Sequence, residues 1–190
     1  MKQGKKTGLI VGIVALLIVL YGVVTYNGFV AKEAEVDKQW AQVESKLQRR
    51  YDLIPNLVNS VKGSMKQEKE VFGEIADARA QMSGAKGVKQ VSEASNNLEG
   101  ALSRLLVVME NYPELKSNDN VKTLMTQLEG TENRISVERD RYNQAVKEYN
   151  VSVRKFPKSV VAGVAGFEKK DYFEADKGAE KAPQVDFNDK

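Results

Sequence analysis

The stretch VDKQWAQVESKLQRRYDLIPNLVNSVKGSM occupies residues 36–65. Its apolar residues Val36, Trp40, Val43, Leu47, Ile54, Val58, Val61 and Met65 are spaced by three, four or seven positions, and Phe72, Ile75 and Met82 extend the pattern. A seven-residue repeat of this kind places one apolar stripe along a long helix, which packs through that seam as in a coiled coil. Pro55 falls inside the run. A proline removes one intrahelical bond and clashes with the preceding turn, so a kink or break is expected there.

C-terminal to this stretch the same reading repeats. Ser83-Gly84-Ala85-Lys86-Gly87 is a turn by composition. Val88, Val91, Leu98, Leu102, Leu105, Met109 and Tyr112 form the seam of a second helix, with Ser95 in one slot. Pro113 and residues 116–120 break it, and Asn118 or Asn120 can cap the next helix. That third helix is predicted from about Val121 to Phe156, with Leu124, Leu128, Ile135, Tyr142, Ala145, Tyr149 and Val153 on its seam. Pro157 stops it, and a short helix or turn over 160–167 ends at Gly166. Nothing has convincing strand alternation. The predicted class is all-α: an up-and-down bundle of three long helices, or four if the first breaks at Pro55. It covers residues 28–167, followed by an extended tail over 168–190 whose Tyr172, Phe173, Val185 and Phe187 can dock on the bundle.

N-terminal to the stretch, no charged residue occurs between Lys6 and Lys32. After a basic tail over residues 1–6, the segment 7–27 is long enough to span a bilayer, which takes ~20 mostly apolar residues. Its anchor residues are Leu9, Ile10, Val11, Gly12, Ile13, Val14, Leu16, Leu17, Ile18, Val19, Leu20 and Tyr21, and Tyr26 joins Tyr21 as an interfacial aromatic. The run is long for a secretory signal and no clean small-x-small cleavage site succeeds it, so a retained single-pass signal-anchor is expected. Gly8 and Gly12 form a GxxxG pair that can bring two membrane helices together, although glycine is common in such helices anyway. Lys2, Lys5 and Lys6 precede the span and Lys32 and Lys38 come after it. That balance leans toward an extracytoplasmic bundle, and the lean vanishes if Lys46, Arg49 and Arg50 are counted.

The net charge of +3 is owed to those first three lysines, because 26 basic residues then face 26 acidic ones. A neutral domain of this kind gives no basic face for nucleic acid. With no cysteine and no histidine, thiolate chemistry and the commonest neutral-pH base are excluded. No phosphate-cradling loop or nucleophile elbow occurs. Glu33, Glu35 and Asp37 sit beside Lys32 and Lys38 and read as a solvated helix start; Asp171, Glu174, Asp176 and Glu180 lack calcium-loop spacing. No enzyme activity, metal or cofactor is expected.

Helix lengths predict an assembly. A first helix over 31–82 would be ~78 Å long, against ~38 Å for the second and ~54 Å for the third. Folding back from Ala85 leaves the seam of Val36, Trp40, Val43 and Leu47 without a partner in the same chain. Either the first helix folds on itself at Pro55 or neighbouring chains cover that seam, and the unbroken phase across Pro55 favours a homo-oligomer. The polar seam slots Arg50, Glu68, Arg79 and Glu138 are read either as rim side chains snorkelling to water or as buried ion pairs. A second helix folded back antiparallel from Ala85 gives the pair Glu68–Arg104, and a third helix parallel to the first gives Arg79–Glu138.

The sequence resembles the LemA family. The resemblance rests on Gln48-Arg49-Arg50-Tyr51-Asp52-Leu53-Ile54-Pro55-Asn56-Leu57-Val58 and Ala78-Arg79-Ala80. It continues in Leu128-Glu129-Gly130-Thr131-Glu132-Asn133-Arg134-Ile135, Tyr142-Asn143, Tyr149-Asn150, Phe156-Pro157, Gly166-Phe167 and Tyr172-Phe173-Glu174. It spans residues 1 to about 187 and implies a bacterial membrane protein with an N-terminal anchor and a helical bundle, drawn in the family with the bundle inside. It supplies no catalytic residues. The leading functional expectation is a scaffold or adaptor anchored in the lipid bilayer and acting through helix–helix contacts with its own copies or another membrane protein. A sensory module that passes helix movement to the bilayer is the alternative, and a hydrolase with an unrecognised site comes third.

Overall fold

A computed structural model describes residues 2–174 and, for residues 2–7 and 116, the backbone alone. Asp176, Glu180, Val185 and Phe187 lie outside the described residues. Six helices succeed one another: α1 (Lys2–Val61), α2 (Lys69–Gly84), α3 (Gly87–Met109), α4 (Pro113–Lys116), α5 (Asp119–Arg154) and α6 (Lys158–Ala165). No strand occurs among the described residues, and the all-α expectation holds.

The first helix does break, but not at Pro55. α1 carries Pro55 inside it and ends at Val61. A proline costs a helix interior about 3 kcal/mol, and here its neighbours Ile54 and Leu57 are buried, each contributing roughly 1.5–3 kcal/mol. The break comes at residues 62–68, where Met65 is the one apolar residue in seven. A stretch with almost nothing to bury has little to hold it helical. The Met65 side chain plugs the core beneath the bend, and its N–H still donates to the Val61 carbonyl at 3.1 Å.

That displaced break changes the topology. The described residues form two compact units: one of α1 up to Val43 with Glu138–Asp171, the other of Glu44–Val137 with the residues from Tyr172. In the second unit α1 and α2 make an antiparallel hairpin, with the Arg79 guanidinium 4.3 Å above the Tyr51 ring. α2 and α3 are antiparallel in turn, joined by Asn97 donating to Gln81 at 2.9 Å and by the Arg104–Glu74 ion pair. Gly87 opens α3 at φ +71°, a conformation natural to glycine alone. Asn118 caps α5, its side-chain oxygen accepting from the Asn120 N–H at 3.0 Å. The result is a four-helix arrangement whose core includes Ile54, Leu57, Ile75, Leu98, Leu105 and Leu128.

With four segments instead of three, α5 runs antiparallel to α1, against the expected parallel course. In the first unit Lys32 meets Glu148 at 3.4 Å, and Trp40 meets Tyr142 with ring centroids 5.2 Å apart. Val36, Val43 and Leu47 are buried and Trp40 is half-buried within this one chain. The seam therefore needs no neighbouring chain to cover it. The expected pair Glu68–Arg104 is not formed: Arg104 is engaged with Glu74, and Glu68 stands just before α2 and accepts from the Tyr112 hydroxyl at 2.9 Å.

Candidate membrane-facing site

The side chains of α1 from Leu9 to Val24 are exposed almost without exception, Val24 at 71%. It is the one helix among the described residues long and apolar enough to cross a membrane. A row of Leu, Ile and Val this long is not left in water. Burial inside the chain begins at Thr25 and Phe29. A Cβ placed on Gly8 or Gly12 would meet nothing within 4 Å, so that pair makes no close approach within the chain.

Phe29 is covered by Phe167, centroids 5.1 Å apart, and Tyr26 packs edge-on against the same ring at 5.4 Å. Phe167 opens a strap, residues 166–171, that the motif residues of α5 hold. Gly166 takes φ +77°, and the Phe167 N–H closes α6 by donating to the Ala162 carbonyl at 3.0 Å. Asn150 binds Lys170 in both directions: its amide donates to the Lys170 carbonyl and its carbonyl accepts from the Lys170 N–H, each at 2.9 Å. Tyr142 donates its hydroxyl to the Asp171 carbonyl at 2.8 Å. The Lys170 ammonium pairs with Glu33 at 2.6 Å and lies 5.9 Å from the centre of the Tyr149 ring.

These contacts shift the titrations. Burial, and then the carboxylates of Asp171 and Asp37, push the Tyr142 hydroxyl up to about 12. Burial likewise raises Tyr149, whose hydroxyl has no hydrogen-bond partner. The Glu33 carboxylate holds the Lys170 ammonium above its ordinary value. Glu35 titrates below the usual range because Gln39 and Lys38 donate to it.

In the second unit the motif residues Arg50 and Glu132 meet. Arg50 is 0% exposed. One terminal nitrogen donates to Glu132 at 3.1 Å, and the other donates to the Ser95 hydroxyl at 2.6 Å and to the Ser95 carbonyl at 3.3 Å. Of the two readings of the polar seam slots, the buried pair holds at Arg50. Its partner, Glu132, is one that the spacing did not single out. Arg79 is half-buried, and Glu138 pairs with Arg141 at 2.9 Å. The Glu174 carbonyl accepts from Ser92 at 2.8 Å and from Asn96 at 3.2 Å, and Phe173 is buried, so the expected docking of Phe173 is found while Tyr172 stays exposed.

Other motif residues point outward. Arg49, Asp52, Asn56, Asn133 and Arg134 are exposed, and Leu53, Pro55 and Asn143 are half-buried. Phe156 and Pro157 are exposed at the junction of α5 and α6.

The model of the LemA family matches residues 39–187. The chain belongs to the LemA family. Two similar relatives are the magnetosome proteins MamQ 2 and MamQ 1 of Paramagnetospirillum magneticum, each 28% identical over 87% of this chain and 70% of their own length. A third is the magnetosome protein MamQ of Magnetospirillum gryphiswaldense, 28% identical over 78% of this chain and 64% of its own. Together with the exposed apolar helix, the match makes this LemA chain a membrane-associated protein. The roles of Ser92, Ser95 and Asn96, which hold the Glu174 carbonyl or Arg50, were not visible in the sequence. These residues occupy seam or seam-adjacent slots of α3 and looked like interruptions of an apolar stripe.

Proposed function

We propose that this LemA chain is a single-pass, membrane-anchored adaptor that acts through helix–helix contacts with another membrane protein. One observation carries the reading: α1 is a single uninterrupted helix from the lipid-exposed Leu9–Val24 segment to Val61 in the bundle core. A continuous helix ties the bundle to the bilayer, where a single anchor is free to turn about its own axis and the bundle can present a binding face to another membrane protein. The magnetosome assignment of the relatives fits work at a membrane. The same continuity supports the alternative, a module that transmits helix movement.

The two readings part under one change. Inserting one alanine after Ala15 rotates the bundle by about 100° about the helix axis. An adaptor keeps its partner, read by site-specific crosslinking from exposed bundle positions in intact membranes; a transmitting module loses its output. Loss of the crosslinks from the unaltered full-length chain when candidate partners are present would overturn the adaptor reading. N-terminal sequencing of the mature protein is expected to begin before Leu9, and a start beyond Val24 would overturn the retained anchor. Reporter fusions at the C-terminus assign the side: the lysines before the span put the bundle outside, the family resemblance inside.

Sedimentation in detergent tests self-association. Its basis is the lipid-exposed Gly8–Gly12 pair alone, since the soluble seam is covered within the chain.

A further inference from the structure

Beside the anchor lies a second apolar element. α6 carries no charge after Lys158, and the next charged residue is Glu168. Phe156 is 78% exposed and Val164 is 88% exposed. Between α6 and the outer half of the anchor is an open groove of about 970 Å³, lined from Val14 to Tyr26 on α1 and from Phe156 to Ala165 on the other side, with no charged residue in its wall. From Val14 to Tyr26 is ~18 Å of helix, so the groove lies alongside the segment that faces lipid.

Backbone in hydrocarbon must satisfy its own polar groups, and this segment enters and leaves with its bonds closed. The Ser159 N–H donates to the Lys155 carbonyl at 3.0 Å and the Val160 N–H to the Pro157 carbonyl at 3.2 Å; at the far end Phe167 donates back to Ala162. At the rim Arg154, Lys155 and Lys158 are exposed, and no ion pair among the described residues occupies them. An apolar face bordered by free cations is the pattern of a helix that lies in a bilayer interface.

We propose that residues 156–165 are a second membrane element, and that the groove between α6 and α1 holds the acyl chain of an anionic bilayer phospholipid. Its headgroup phosphate lies at the depth of Arg154, Lys155 and Lys158. The groove is continuous with the lipid-facing side of the anchor, and the cations complement an anionic headgroup. The proposal rests on the anchor spanning the bilayer, and the test separates the two.

The chain has no cysteine, so single labels are clean. Full-length V164C, I18C and V151C, each carrying an environment-sensitive fluorophore, are placed in vesicles of phosphatidylcholine and phosphatidylglycerol containing acyl-chain spin-labelled lipid. Val164 and Val151 are exposed within the chain, so the labels displace no packing. Quenching of V164C as strong as that of I18C, with V151C unquenched, is the expected result. V164C behaving like V151C while I18C is quenched overturns the proposal and leaves the anchor standing; I18C unquenched overturns the anchor itself. Disulfide-linked dimers of unlabelled V164C without lipid quenching assign the groove to a second copy and overturn the proposal. For the headgroup, native mass spectrometry of K155Q/K158Q should show about fivefold less retained phosphatidylglycerol per cation that reaches a phosphate, with phosphatidylcholine unchanged. Equal retention overturns the assignment of those cations.

Discussion

The two units of the chain are held together by different means. In the unit of Glu44–Val137, helices bring a mainly apolar core together around one buried arginine. In the unit of α1 up to Val43 with Glu138–Asp171, the apolar seam of Val36, Val43 and Val146 is supplemented by polar side chains that grip the backbone of an extended strap, through Tyr142 and Asn150. The first kind of packing needs four helical surfaces. The second does with fewer, because an extended chain offers its own N–H and C=O groups as partners, and a side-chain amide satisfies both at once. An element held in this way is sensitive to single polar changes and to pH; the apolar core is sensitive to charge and volume.

The comparison is tested most severely at the seam itself. Val43→Asp places a carboxylate at a 0% exposed position and should cost more than about 4 kcal/mol. If the seam is intramolecular, denaturant unfolding shows that loss and the sedimentation of the folded fraction does not change. A folded chain that only becomes smaller would restore the intermolecular seam. Next comes the buried arginine. Arg50→Ala removes a guanidinium that donates to Glu132 and Ser95 and should cost about 3 kcal/mol, whereas Arg50→Met with Glu132→Gln should recover part of that. Equal losses in the single and double variants would mean that the ion pair adds nothing.

At the strap the expected effects are smaller. Asn150→Ala removes both bonds to Lys170 and should cost about 1–3 kcal/mol, with amide exchange rising at residues 168–171 and not in α2 or α3. Uniform exchange across both units would show that the strap is not a separate element. Tyr142 and Lys170 bind their protons more tightly folded than unfolded, Tyr142 up to about 12. Stability from both is fully present below about pH 10, the unfolded tyrosine value, and is lost as pH rises through 10.5 toward 12. Tyr142→Phe should remove the tyrosine part of that alkaline loss; a fluorescence titration following Trp40, which packs on Tyr142, reads it. The smallest effect is at the surface. Glu35→Ala breaks contacts with Lys38 and Gln39 that are open to water, and should leave the denaturation midpoint unchanged within the error of its measurement.

How much of the molecule is legible in residue order depends on the kind of physics involved. Periodicity and charge are local, so the long apolar N-terminal helix, the helical class, the turn over 83–87, the Asn118 cap and the stop before α6 were legible there. The break at residues 62–68 was only weakly signalled, by Gly63-Ser64 in a polar run, because Met65 keeps the seven-residue phase and hides the interruption. Helix direction depends on the number of reversals, so one misplaced break made α5 parallel to α1. The partners of Glu68 and Arg104 were missed through register: α2 and α3 are antiparallel as expected, but Gln81 faces Asn97 and Glu74 faces Arg104, which leaves Glu68 level with Tyr112. The site residues divide in the same way. Tyr142 and Asn150 stood out through the family resemblance, yet their task of gripping the strap depends on where residues 166–171 return in space. Residue order alone fixes which faces are apolar and which segment is long and apolar enough to cross a membrane, since both follow from composition and spacing. That Arg50 meets Glu132, that the seam closes within one chain, and that α6 lies beside the apolar part of α1 emerge only in the folded chain, because each requires residues distant in sequence to arrive together.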